Sequence, residues 1–196
     1  MNAPPAPKGS RKEALTSLAI EMMQSRGFSA LGLRELADAA QMRAPSLYSH
    51  FASKDELSRA AMSLYAERHR AELHHLEALA TGAARIRVYV DRCATCIQEE
   101  GRLCLFLMLT TNRQDLSEEA VGELTRLVDE QAEWLSAMWE AGRADGSIRS
   151  GQTGKNVGPL IFSALRGLMA FAVLQPDPTA AYHAQSDALL AALGVS

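Results

Sequence analysis

The chain's 196 residues are 47% hydrophobic, 22% charged and only 6% aromatic, enough to bury a core in one or two small domains and rich in the Leu, Ala, Met and Glu of an all-helical protein. A net charge of −3 argues against indiscriminate affinity for nucleic acid, and no run approaches the ~18 uncharged apolar residues of a membrane span. Met1 to Gly9 is Pro/Ala-rich and unlike a signal peptide, so 1–9 reads as a loose, disordered leader; a cytoplasmic location is expected, with no membrane partner. Charge is unevenly spread. Residues 1–60 hold eight Lys/Arg against six Asp/Glu, whereas the remainder holds twelve against seventeen. A locally basic front on an acidic body suits a DNA reader joined to a domain with another task.

In chain order, Ser10 and Glu13 have the spacing of a helix cap. Ala14, Leu15, Leu18, Ala19, Met22 and Met23 then recur at helical period, predicting a first helix over 11–26. Gly27 is expected to end it in a left-handed conformation, with Phe28 closing back on the helix end. Leu33, Leu36, Ala37 and Ala40 form one face of a short second helix. Gln41-Met42-Arg43 is a tight turn, and Ala44-Pro45 opens a third helix to about Phe51, Pro being tolerated where its missing N–H costs nothing. The expected small core is Leu15, Leu18, Ala19, Met22, Phe28, Leu33, Leu36, Leu47 and Phe51.

Ser53 and Glu56 signal a capping box for helix four, which meets no breaker before Thr81-Gly82. Helix five is expected over about 83–100. Leu103–Leu109, apolar on every side, reads as a fully buried helix, although alone it also fits a buried strand. Asn112-Arg113-Gln114-Asp115 turns the chain. Ser117 starts a long helix to about Ala141, Gly142 to Gly154 is a polar connector, Val157 to Leu174 is a strongly apolar helix, and a last helix spans about 180–193. Gly158, Ser163, Gly167 and Ala170 give the apolar helix a small-residue strip, suited equally to intrachain packing or to a second copy.

Two short helices across a tight turn suffice to push one helix end into a major groove. Gly27-Phe28, Leu36-Ala37, Ala39-Ala40, Ser46-Leu47-Tyr48, His50-Phe51, Lys54 and Leu57 stand in register with a known pattern, and this stretch resembles the DNA-binding segment of TetR/AcrR-family regulators. The resemblance implies a helix-turn-helix domain over 10–57, a helical ligand-binding and dimerisation domain over 58–196, and a homodimer built on the two C-terminal long helices. It also implies binding to double-stranded, palindromic operator DNA, and release by an inducer whose identity the sequence does not give. By the same likeness Tyr48 and Lys54 contact backbone phosphates. Arg43 and Ser46 sit at the head of the recognition helix near base edges, Arg34 touches a phosphate, and His50 either faces DNA or packs as a helix-end residue. The chain departs from the pattern at Gln41, usually Gly; at Leu31-Gly32-Leu33, usually Thr-rich, leaving Gly32 as N-cap; and at Ala44, often Lys.

The body holds three cysteines. Cys93-Ala94-Thr95-Cys96 falls inside a helix, where two small buried hydrophobes are the favoured reading. Zinc would need further ligands, and His74 and His75, adjacent in sequence, point apart, so no metal and no cofactor are expected. Gly101-Arg102-Leu103-Cys104-Leu105, with Asp115-Leu116, Trp134-Leu135 and Gly146-Ser147-Ile148-Arg149, is similar to a TetR branch that includes sensors of reactive electrophiles and small unsaturated acids. Cys104 is therefore either an inert buried cysteine or a reactive thiol, Arg102 being the cation that would favour its thiolate. Phe106, Met108, Trp134 and Arg166 complete the candidate ligand pocket, Arg166 as a lone charge in an apolar helix. A ligand- or thiol-responsive repressor is preferred over two other readings. A small helical thiol or redox module lacks a Cys-His-acid constellation, and a helical adaptor has no use for the polar face of Arg43, Ser46, Tyr48 and Lys54. No enzymatic role is expected.

Overall fold

The computed structural model describes residues 10–98 and 102–195. Among them the chain is all-helical, relieved only by an isolated antiparallel bridge between Ile148 and Val195. The sequence signals explain most helix ends. Helix α1 (Arg11–Arg26) starts at Ser10, whose Oγ accepts the Glu13 N–H at 3.2 Å. It stops at Gly27, where φ is +89° but ψ is 157°, so the glycine turns the chain into an extended exit and not the left-handed helical cap expected. Phe28 is buried against the helix end.

Helix α2 (Leu33–Ala39) has Gly32 at its N-cap and no side-chain cap. Gln41 follows at φ +54°, the one non-glycine residue with positive φ among the described residues. It occupies the turn position where the family pattern places glycine. Helix α3 (Ala44–Tyr48) has Arg43 as N-cap and Pro45 in its first turn. It is three residues shorter than expected, although the Phe51 N–H still bonds the Leu47 carbonyl at 3.1 Å and carries the turn onward. Leu15, Ala19, Met22, Phe28, Leu33, Leu36, Leu47 and Phe51 are all buried, with Leu18 half-buried. Each such large side chain contributes roughly 1.5–3 kcal/mol of transfer free energy, which lets three short helices hold one shape.

Helix α4 (Lys54–Leu76) joins reader to body. Ser53 Oγ caps the Glu56 N–H at 3.1 Å, while the Glu56 carboxylate reaches one residue further back than a standard capping box, accepting from the Ala52 N–H at 2.8 Å. Glu56 also pairs with Lys12 at 2.9 Å, tying α1 to the head of α4. The helix ends at Leu76, not at Thr81, because Glu77, Ala78 and Leu79 switch to tighter i→i−3 bonds.

Helix α5 (Gly82–Gln98) follows; its expected extension to residue 100 lies outside the described residues. Helix α6 (Leu105–Thr111) is helical, not a strand, and a single 3-10 turn over Arg113–Asp115 leads to the Ser117-capped α7 (Glu118–Ala144). Helix α8 (Gly154–Ala172) begins three residues earlier than expected and carries Pro159 on its exposed side. Helix α9 (Pro178–Leu193) is capped by Asp177 and ends at Gly194, φ +84° and ψ 23°, a left-handed stop. The most extensive pairing is α7 on α8, with α5 wedged against α7, α8 and α9.

Candidate nucleic-acid interface and the cavity behind it

Helices α2 and α3 present one polar face. Arg34, Arg43 and Ser46 are exposed, and Tyr48 is 49% exposed, so it is no core aromatic. Among the described residues no ion pair or hydrogen bond holds the side chains of Arg34, Arg43 or Tyr48. Ser46 lends its carbonyl to Ser49 Oγ at 2.7 Å, and His50 is half-buried at the helix end.

Lys54 sits differently. As the first residue of α4 it faces the positive end of that helix, an unfavourable place for a cation. Its Nζ lies 4.2 Å over the Phe28 ring and donates to the Ser29 carbonyl at 3.4 Å. Loss of hydration holds its pKa below the usual lysine value, with Asp115 and Glu35 opposing. In this state the ammonium rests on the protein and must swing out to meet a phosphate. The loop it touches is also fastened to the body: Ser29 Oγ bonds Asn112 Oδ1 at 2.6 Å and the Asp115 carboxylate, and Ser117 Oγ bonds Asp55 at 2.5 Å.

Behind this reader lies a cavity of about 260 Å³. Ile20 and Gln24 of α1, Tyr65 and His69 of α4, Cys93 and Cys96 of α5, Cys104, and Arg166 and Met169 of α8 supply its wall. Its floor is buried (Tyr65, Cys93, Cys104, Arg166, Met169), whereas Glu21, Arg68, Arg92 and Thr95 at the rim are exposed. Arg166, 5% exposed, donates to the Tyr89 hydroxyl at 3.0 Å and to Cys93 Sγ at 3.6 Å, and its guanidinium stacks 4.1 Å over the Phe162 ring. The Tyr65 hydroxyl reaches Cys104 Sγ at 3.6 Å, and the Cys104 N–H meets Met169 Sδ at 3.2 Å. His69 lies 4.6 Å from the Tyr65 ring; burial first, then Arg166 and Arg92, bring its pKa down to about 4, so it is neutral at pH 7.

Of the pocket residues expected from sequence, Cys104 and Arg166 line the cavity and three do not. Phe106 stands edge-on to Tyr65 at 5.1 Å, and Trp134 stacks on Tyr89 at 5.6 Å. Met108 packs at the end of α1 beside Gly27. Phe106 and Trp134 each back a residue of the site without reaching the space. Tyr65, His69, Gln24, Cys96 and Met169 were missed; the one signal for them is the i, i+4 spacing of Tyr65 and His69 on α4. Of the C-x-x-C pair, Cys93 is buried as expected and Cys96 departs from that reading only in part. Cys96 is half-buried and faces the cavity, yet burial pushes its thiol up to about 12, and burial likewise raises Cys93. Both are therefore held as neutral thiols, and among the described residues no cluster fit for a metal ion occurs.

Residues 15–61 match a family model described as bacterial regulatory proteins, tetR family. The HTH-type transcriptional repressor KstR2 of Mycolicibacterium smegmatis is 40% identical over 53 residues, 27% of this chain. The match thus spans about a quarter of that relative's length, 26%. Over the whole fold, a TetR-family regulator from Agrobacterium tumefaciens superposes with a TM-score of 0.86 at 20% identity, covering 93% of this chain and 97% of that one. The ketosteroid transcriptional regulator KstR2 of Mycobacterium tuberculosis has a TM-score of 0.68 at 22% identity, covering 95% and 94%.

Proposed function

We propose that this chain, which belongs to the TetR family through its N-terminal domain and its fold, is a dimeric, operator-binding transcriptional repressor released by a small molecule seated in the cavity. One observation carries the reading: α1 of the DNA reader and α4, the helix that joins reader to body, are also two walls of the cavity. Material entering there pushes on α4, moves Lys54 and α3 with it, and changes the distance between the two recognition helices of a dimer. Arg43 and Ser46 are the base-edge candidates, and Arg34, Tyr48, His50 and Lys54 the candidates for backbone contact.

The outer faces of α8 and α9 support the dimer. Leu160, Ser163, Gly167 and Phe171 form one exposed stripe on α8, continued by Leu174 just past its end, with Leu160, Phe171 and Leu174 51%, 68% and 74% exposed. On α9 the exposed residues include Ala180, Ala184, Ala188 and Ala191, a small apolar row, beside the polar Gln185 and Asp187. A Cβ on Gly167 would meet nothing within 4 Å, which leaves room for a partner helix. Gly158, by contrast, is taken up by α7, so the small-residue strip serves both packings.

The test is binding of the purified protein to DNA from beside its own gene at two salt concentrations, with random-sequence selection if that fragment fails. Saturable, salt-sensitive binding that survives excess random DNA is expected. Failure of both leaves a helical adaptor.

A further inference from the structure

Arg166 is the only ionised group in the buried floor of the cavity among the described residues, and no carboxylate is paired with it. A guanidinium stays charged in any protein interior, and burying it without a counter-ion opposes folding. Among the described residues every group that touches it is neutral: the Tyr89 hydroxyl, the Cys93 thiol, and the rings of Phe162 and Tyr89. These contacts fix the direction of the guanidinium without cancelling its charge. They also leave donors over, because a guanidinium carries five N–H groups, and the Arg166 Nε is buried with no hydrogen-bond partner. The acids of the cavity wall do not reach it. Glu72 pairs with Arg92 at 3.7 Å on the rim, and Glu21 is exposed there.

Resting on the reading of the cavity as the inducer site, we propose that its ligand is a small monocarboxylic acid whose carboxylate lies against Arg166 and whose short apolar tail lies among Met169, Ile20 and the three cysteine side chains. The fork of a guanidinium suits a planar carboxylate, which takes two parallel N–H bonds. Of the four arginines that line the cavity, Arg68 and Arg92 are exposed and Arg102 is half-buried, so at its buried floor a phosphate dianion would meet the one guanidinium of Arg166. Size gives a second limit. A space of 260 Å³ holds about nine waters at ~30 Å³ each, below the usual range for drug-sized ligands. The tail is therefore short, and the sulfur-rich wall is soft enough to adapt to its shape.

The experiment uses the full chain and two readouts, thermal unfolding and calorimetric titration, with propionate, hexanoate and benzoate against their primary amides and inorganic phosphate. At least one acid should raise the Tm and bind ten or more times tighter than its matched amide, with phosphate inert. Equal binding of acid and amide, binding of phosphate as tight as that of the best acid, or no response to any acid overturns the assignment, and this comparison needs no variant. Arg166→Met should lose the preference for acid over amide while its ligand-free Tm holds or rises, since an uncompensated charge has gone. Arg166→Lys, which keeps the charge but not the fork, should weaken acid binding at least tenfold. A variant that keeps full acid preference in either case counts against the proposal. Acid binding that leaves operator affinity unchanged upholds the site and overturns its role in induction; an operator-binding protein that takes no acid overturns the ligand assignment and leaves the repressor reading standing.

Discussion

Helix α8 contains two glycines whose replacement by alanine should have opposite effects. A Cβ on Gly158 would lie 2.1 Å from Ser136 Oγ, 2.5 Å from the Ala132 carbonyl oxygen and 2.7 Å from the Ser136 nitrogen. The hydroxyl can rotate away, at the loss of its own 2.8 Å bond to the Ala132 carbonyl, but the backbone atoms cannot. Reaching ordinary contact requires α7 and α8 to part by almost 1 Å, and a gap of that size forfeits a quarter to a half of each affected dispersion contact. Overpacking of this kind costs about 1–3 kcal/mol, and the most extensive helix pair in the chain puts the cost near the upper end. The gain of about 1 kcal/mol in helix propensity offsets part of it, leaving a net loss of about 2 kcal/mol. For a chain of this size that lowers the Tm by roughly 4–8 °C. Gly167→Ala, with open space around its Cβ, should leave the fold at least as stable and act instead on association, read by sedimentation or light scattering. The reasoning fails if Gly158→Ala unfolds at or above the parent's Tm.

Three other outcomes follow from geometry already described. Tyr48→Ala combined with Lys54→Ala should weaken operator binding without lowering the Tm by more than a few degrees, and Lys54→Ala alone should reduce the slope of log K against log salt by about one per protomer; an unchanged slope removes Lys54 from the phosphate contacts. His69, with an ordinary value of 6.5 and a folded value of about 4, binds its proton more readily in the unfolded chain. Stability should therefore fall as pH drops from 6.5 toward 4, by at most about 3 kcal/mol, and urea unfolding of His69→Phe should lose that share of the pH dependence. Iodoacetamide at pH 7.5 should modify Cys96 about a thousandfold more slowly than a free thiol, by mass spectrometry, because its thiol is raised from 9.0 to about 12. Rapid labelling of Cys96 would refute this account of its burial.

The reader domain was legible because its signals are local. Ser10 with Glu13, Pro45, and Ser53 with Glu56 each act within one helical turn, and α1 starts and stops where they predict. Gln41 shows the same logic at a departure from pattern: the turn keeps its positive φ of 54° and a non-glycine residue adopts it, at a cost of about 1–2 kcal/mol. The cavity was legible only in part. Periodicity states which face of a helix is buried, not whether that face meets a neighbour or a void. Phe106 is buried and Trp134 half-buried on the right helices, and both end one layer behind the wall. Arg166 stood out because a charge in an apolar helix is costly wherever the helix packs. Tyr65 and His69, on a helix that serves reader and body alike, carry no such mark.

The shared walls of the cavity bear on how sensors of this kind can be recombined. Regulators are often treated as a reader and a sensor that can be cut apart and rejoined, and a seam after residue 57 is the natural place to cut. Here that seam would carry Ser17, Ile20, Glu21 and Gln24 away with the first three helices, removing one wall of the cavity. A hybrid meant to keep the proposed effector response must graft those four side chains onto the incoming first helix. Swapping the recognition turn alone, from Gln41 to Tyr48, crosses none of these contacts and is the exchange the architecture permits.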